Sequence, residues 1–234
     1  MTNNINIVYF AWINEKKNWQ NIIGGQFQDI ENSGILQNAK NYIIICCEND
    51  LLIDSVNLLF ENILNNKNYN YNIEFEKINR YEYYGIKKIY ELAKIEPDKY
   101  YLYLHSKGIF NYDNINERHS NELTLTKGTV YLYNKVVELF NNNPEITQIG
   151  LFPSNGYNKK FIWFNFFWVR GNYLLTCEDP IISDNRYYYE NWLESGANGL
   201  IYNLYEGNYK KYELHEAGEI LTYLNGSFPL ENYI

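Results

Sequence analysis

Short apolar runs alternate, through the first half of the chain, with segments whose apolar residues recur every three or four positions. Ile5-Asn6-Ile7-Val8-Tyr9-Phe10-Ala11 is almost continuously apolar, as a strand buried on both faces must be. Trp19, Ile22, Ile23, Phe27 and Ile30 then share one helical stripe, and Ser33-Gly34 ends it, with Gly34 suited to a left-handed cap. Tyr42 to Cys47 predicts a second buried strand, and a helix from about Leu52 carries Val56, Leu59, Phe60, Ile63 and Leu64. A third strand is expected over Asn72 to Ile78. The helix after it bears Ile86, Ile89, Tyr90 and Ala93 and stops before Pro97, and Tyr100 to Leu104 forms a fourth strand. Strands and helices that alternate through short links specify a mostly parallel sheet with helices on both faces.

The second half is less regular. It offers a helix with Val136, Val137, Leu139 and Phe140, a strand near Gln148 to Phe152, and an aromatic strand from Phe161 to Val169. No Pro/Gly/Ser linker, composition shift or internal repeat divides the chain, so residues 1–234 are expected to form a single α/β domain. Hydrophobic residues make up 46% and charged residues 21%, which excludes wholesale disorder.

Charge and cysteine usage narrow the partners. The net charge is -8 with no Lys/Arg cluster longer than a pair, a poor match to nucleic acid or an anionic membrane surface. No run reaches the length of a spanning helix, and the N-terminus lacks the pattern of a secretory signal. Cys46 and Cys47 are strand neighbours pointing to opposite faces, and the cysteine count is odd, so a reduced, cytoplasmic compartment is expected. The 25 Tyr, 12 Phe and 5 Trp fit either AT-rich codon usage or a surface that stacks on sugars or bases. Composition alone does not separate the two.

Ligands of open α/β sheets bind outside the carboxyl ends of the strands. The fourth strand is followed by His105-Ser106-Lys107-Gly108, whose His, Lys and Gly suit a diphosphate or another anion. The glycine-rich dinucleotide and P-loop patterns are absent, as are H-E-x-x-H, C-x-x-C and G-x-S-x-G. That argues against a dinucleotide oxidoreductase, a P-loop NTPase, a zinc site and a serine hydrolase. Among the remaining carboxylates near aromatics, Asp179, Asp184, Glu190 and Glu194, the one flanked by aromatics on both sides is Glu190, between Tyr187-Tyr188-Tyr189 and Trp192. Desolvation there would raise its pKa, whereas pairing with Arg186 would hold it down or make it purely structural.

Taken in order, several stretches resemble a family of viral and bacterial glycosyltransferases with the GT-A fold. They are Asn18-Trp19 with Gln26 and Ser33-Gly34, then Tyr84-Gly85-Ile86, then Leu102 to Gly108. Gly150-Leu151-Phe152-Pro153, Asn165-Phe166-Phe167-Trp168 and Arg186 to Trp192 follow, so the resemblance runs from about Ile5 to Leu193. It implies a nucleotide-diphosphate-sugar donor and a glycan acceptor, with Phe10, Ala11, Trp12, Tyr84, Gly85, His105, Ser106 and Lys107 around the donor. Trp12 or Tyr84 would stack on the base. Glu190 corresponds in place to the catalytic carboxylate of inverting members.

Usual members carry Asp-x-Asp where this chain has His105-Ser106-Lys107, so Mn²⁺ or Mg²⁺ ligation departs from the family pattern. Lys107 and His105 would then meet the departing diphosphate directly. His105 and His215 are the residues a divalent cation would use if one binds. On the aromatic strand, Asn165 and Phe167 should face one way and Phe166 and Trp168 the other. Asn165, Phe167 and Trp168 are expected on the acceptor side. A non-catalytic carbohydrate-binding module on the same fold, stacking sugars on that strand, is the competing expectation.

Overall fold

The first strand, β1 (Ile5–Ile13), is the hub of the sheet because both of its faces are apolar. Ile5, Ile7, Tyr9, Ala11 and Ile13 point into one hydrophobic layer, and Val8 and Phe10 point into the other. In this computed structural model the described residues are 4–15, 18–64, 67–106, 118, 120–154 and 161–204. β1 pairs in parallel with β2 (Ala39–Cys47) on one side and with β4 (Tyr100–His105) on the other, and β2 pairs in parallel with β3 (Tyr71–Glu76). The sheet continues through β6 (Phe167–Arg170), antiparallel to both β4 and β5 (Gln148–Gly150), to β7 (Ile201–Asn203), which is parallel to β5. The order β3-β2-β1-β4-β6-β5-β7 is a mostly parallel α/β sheet with helices on both sides.

Helix α1 (Trp19–Asn32) buries Trp19, Ile23, Phe27 and Ile30, the stripe its spacing predicts. Each such side chain contributes roughly 1.5–3 kcal/mol by leaving water. The helix stops at Ser33, and Gly34 takes φ 81°, a left-handed value that an L side chain rarely adopts. Alongside α1, α2 (Ile53–Ile63), α4 (Ser120–Val130) and α5 (Tyr133–Asn142) build the first layer. The second layer holds α3 (Tyr83–Ile95), α6 (Gly171–Leu174) and α7 (Tyr187–Asn191), with Trp192 and Leu193 after it. Among the described residues, no helix is long and apolar enough to cross a membrane.

The expected aromatic strand over Phe161 to Val169 is shorter than its composition suggests. Only residues 167–170 are extended and paired in the sheet; Ile162 makes an isolated bridge to Pro153, and Trp163–Asn165 form a 3-10 turn. Phe164 and Asn165 take φ of 67° and 53°, which a β-strand cannot accommodate, so the chain must bend there.

The three cysteines are buried and free. Burial pushes the thiols of Cys46 and Cys177 up to about 12, with Glu48 adding to the effect at Cys46 and a hydrogen bond from Ser195 opposing it at Cys177. A raised folded-state value favours the neutral thiol in the fold. This contribution to stability is complete below the unfolded value of about 8.5 and is lost as the pH rises toward 12. Iodoacetamide at pH 8 should therefore label neither Cys46 nor Cys177 in the native protein and label both in urea. Rapid native labelling, mapped by mass spectrometry, would show that these thiols are not packed as described.

Candidate functional site

The chain leaves β1 toward β2 and β3 on one side and returns at β4 on the other, so the direction of winding reverses between β1 and β4. Helices to either side diverge at such a point and leave a crevice outside the carboxyl ends of the two strands. Those ends are Phe10 to Ile13 and His105-Ser106, and the Ser106 N–H donates to the Phe10 carbonyl at 2.9 Å, so the two strands stay paired to the rim.

His105 sits at this rim with its side chain 13% exposed. Its Nε2 lies 3.0 Å from the carbonyl oxygen of Phe164 and 3.8 Å from Oε1 of Glu82, the residue that precedes the first turn of α3. A carbonyl can only accept, so Nε2 carries a proton. The Asn165 amide donates to Oε2 of Glu82 at 2.7 Å, and the Tyr103 hydroxyl reaches the same oxygen at 3.4 Å. Burial, and then the Glu82 carboxylate, raise the Tyr103 hydroxyl well above its ordinary range, so it remains a donor. The rings of Phe166 and Tyr103 flank the imidazole at 5.3 and 6.5 Å. A carboxylate, a histidine and an amide thus meet where two strands end, held by two left-handed residues in succession.

Behind His105 lies a second polar layer. Gln26 of α1 donates to the His105 carbonyl and to Thr126 Oγ1, each at 3.1 Å, and accepts from the Tyr9 hydroxyl at 2.6 Å. Thr126 donates to Glu122 at 2.7 Å. Glu122 takes two hydrogen bonds from Arg118, both 2.6 Å, and Arg118 also donates to Asp29 at 2.7 Å. Burial would lower the Arg118 pKa, but Glu122 and Asp29 outweigh it and the net shift is upward. The Arg118 side chain runs directly over Gly25, where a Cβ would come within 2.5 Å of its Cδ. The backbone at the end of β4 is thereby fixed from the α1 side as well as from the α3 side.

The structure separates the expected donor residues. Trp12 and Tyr84 are half-buried on the α3 side of the sheet, around the strand ends. Burial, followed by Glu76 and Cys46, raises the Tyr84 hydroxyl against the opposing influence of Arg80, so these groups cluster at the ends of β2 and β3. Phe10 and Ala11 belong to the core, 3% and 0% exposed. Gly85 serves the packing of α3 on the sheet: a Cβ there would lie 2.7 Å from the Tyr103 hydroxyl and 2.8 Å from Phe10 Cβ. Gly85→Ala should cost about 1–3 kcal/mol in urea unfolding, as overpacking does. Unchanged stability would mean that the helix can move off the strands freely.

The residues expected on the acceptor side are enclosed by the fold. Phe166 and Trp168 do face one layer and Phe167 the other, but both layers are core, and Phe167 and Trp168 have no exposed surface. The Trp168 indole donates to the Thr129 carbonyl at 3.0 Å, so its polar edge is used inside. Asn165 is buried against Glu82. A ring with no exposed face offers no surface on which a sugar could stack. Among the described residues, Tyr81, at φ 53°, and Tyr187, with the Arg186 guanidinium 5.1 Å from its ring, are exposed aromatics.

Glu190 lies on α7, half-buried, and α7 packs against the Trp163–Asn165 turn that holds His105. Lys107 and His215 lie outside the described residues. Sequence reasoning missed Glu82, whose only signal was its position just ahead of Tyr84-Gly85. Among the described residues no three His, Cys, Asp or Glu side chains converge as a metal site. The His105 nitrogen facing Glu82 already donates to a carbonyl, so Nε2 and Glu82 do not together offer a pair of lone-pair donors to a divalent cation.

No protein-family profile matches the sequence, and no curated protein matches it. Among solved structures, the chain is similar to the mannosyltransferase PcManGT from Pyrobaculum calidifontis, determined in complex with GDP-Man and Mn2+. The TM-score is 0.42 with 7% identity, over 71% of this chain and 44% of that one. It is also similar to residues 1–349 of TarS from S. aureus, with a TM-score of 0.44 and 9% identity, over 86% of this chain and 58% of that one. The chain spans about half the length of each of these proteins.

Proposed function

We propose that this protein is a glycosyltransferase that takes a sugar from a nucleotide-diphosphate donor to a glycan acceptor with inversion. The observation that carries the reading is the approach of Glu82 to His105 at the carboxyl end of β4, beside the β1/β4 switch point where such sheets take nucleotides, with Trp12 and Tyr84 half-buried on the same side of the sheet. The ordered motifs between Ile5 and Leu193 support it, because they resemble glycosyltransferases of the GT-A fold. In this reading the base stacks on Trp12 or Tyr84, and the diphosphate is met by His105 and Lys107.

The chemistry follows from those places. An acceptor hydroxyl attacks the anomeric carbon as the bond from that carbon to the diphosphate oxygen breaks. The hydroxyl proton passes to the Glu190 carboxylate, and the charge that develops on the diphosphate is met by Lys107 and by His105 in its doubly protonated form, with Nε2–H on the Phe164 carbonyl and Nδ1–H on the diphosphate. Stacking is tested by titrating UDP, GDP and dTDP into Trp12→Ala and Tyr84→Ala proteins whose folding is confirmed. At least one substitution should weaken binding by about 1–3 kcal/mol, the contribution of a base–aromatic stack. Nucleoside-diphosphate binding that survives both would end this placement of the base.

A further inference from the structure

We propose that Glu82 is a positioning residue that fixes the ring of His105 in the crevice, acting through the Phe164–Asn165 turn. Glu82 stands at the N-cap of α3, yet its side chain caps no N–H of its own helix. The carboxylate reaches across the crevice instead, where Oε2 accepts from the Asn165 amide and Oε1 faces His105 Nε2. Its side chain is 17% exposed, shielded from competing water.

The turn explains why such a clasp is needed. Phe164 and Asn165 are consecutive non-glycine residues with positive φ, and for Phe164 no side-chain property favours that conformation. Strained backbone of this kind persists only where its surroundings over-determine it, and it concentrates at functional sites. Here the determining contact is the Asn165 amide on Glu82. The product of the strain is the delivery of the Phe164 carbonyl to His105 Nε2 at 3.0 Å. That contact selects the tautomer with the proton on Nε2 and sets the plane of the ring. Glu82 therefore governs the direction in which His105 presents its ring to a ligand, without touching that ligand itself.

The consequence for catalysis rests on the nucleotide-sugar reading, but the decisive measurement does not. Long-range proton–nitrogen spectra at pH 8 report the tautomer of each neutral histidine, and a His105→Asn protein assigns the resonance among the three histidines. Wild type should show His105 in the single Nε2–H form. Glu82→Gln, whose amide oxygen still accepts from Asn165, should keep that spectrum. Glu82→Ala should give a mixture of tautomers, and Glu82→Asp, one methylene too short, should resemble it. The Asp variant carries the test if the Ala variant does not fold.

Titration with UDP, GDP and dTDP should show affinity reduced about tenfold or more in Glu82→Ala and Glu82→Asp, and restored in Glu82→Gln. A His105 spectrum unchanged in folded Glu82→Ala or Glu82→Asp would overturn the proposal. If wild type bound none of the three nucleotides, the glycosyltransferase reading would fall, and the spectrum would still decide the role of Glu82.

Discussion

Arg118→Met should destabilise the protein by about 3–5 kcal/mol, the largest stability loss expected from any single charge removal in this fold. The Glu122 side chain is 2% exposed and Asp29 8%, and Arg118 is their common cation. Without it, two carboxylates remain in a poorly solvated layer with their lone pairs facing each other's field. The loss should appear as a lower urea midpoint with little change in slope. The triple replacement Arg118→Met, Asp29→Asn, Glu122→Gln should recover most of it, because a buried ion cluster contributes little net stability over a neutral packed one. A single Arg118→Met protein as stable as wild type would show that the carboxylates are hydrated and that the end of β4 is not anchored through Gln26.

Glu190→Gln should leave nucleotide-sugar binding intact while lowering turnover by about 10²–10⁴-fold, the contribution of a positioned general base. The amide keeps the shape of the side chain and loses the ability to take a proton. Glu190 stands half-buried on α7, which packs beside the turn that holds His105. Single-turnover measurement separates loss of chemistry from loss of binding. Transfer at nearly the wild-type rate, with a proven donor and acceptor, would remove Glu190 as the base and direct attention to Asp184 or Glu194.

Much of the first half of the fold is legible in the sequence because its strands are buried on both faces and its helices on one. Ile5 to Ala11 could be nothing but an interior strand, and the stripe Trp19, Ile23, Phe27, Ile30 ends at a glycine with the φ such an end requires. Helix α4 was not legible, since Thr124, Thr126, Gly128 and Thr129 dilute its apolar face; its buried side is largely polar and matched to Gln26 and Arg118. The strand β7 was missed because three residues carry no measurable period. The stretch before Phe167 misled because aromatic composition favours a strand, whereas Phe164 and Asn165 take positive φ and bend the chain.

The candidate site shows the same division. His105 and Trp12 drew notice because they stand at the ends of apolar strands whose course is predictable. Glu82 did not, because its role depends on Asn165, which is distant in sequence and meets it through the fold alone. For Phe167 and Trp168, pattern gives the face on which each side chain lies, but the second core layer behind that face is a property of the whole sheet.

The central claim is that the β1/β4 crevice binds a nucleoside diphosphate and its sugar, and thermal unfolding in the presence of ligand tests it most directly. UDP, GDP, dTDP and their sugar conjugates would each be added at graded concentrations, with and without Mn²⁺. One base should stabilise the protein, by about 2.7 kcal/mol at 100 times its dissociation constant, and its stabilisation should fall when His105 is replaced by alanine. A melting temperature that stays fixed at millimolar concentrations of every nucleotide and nucleotide sugar, with and without the metal, would contradict the account.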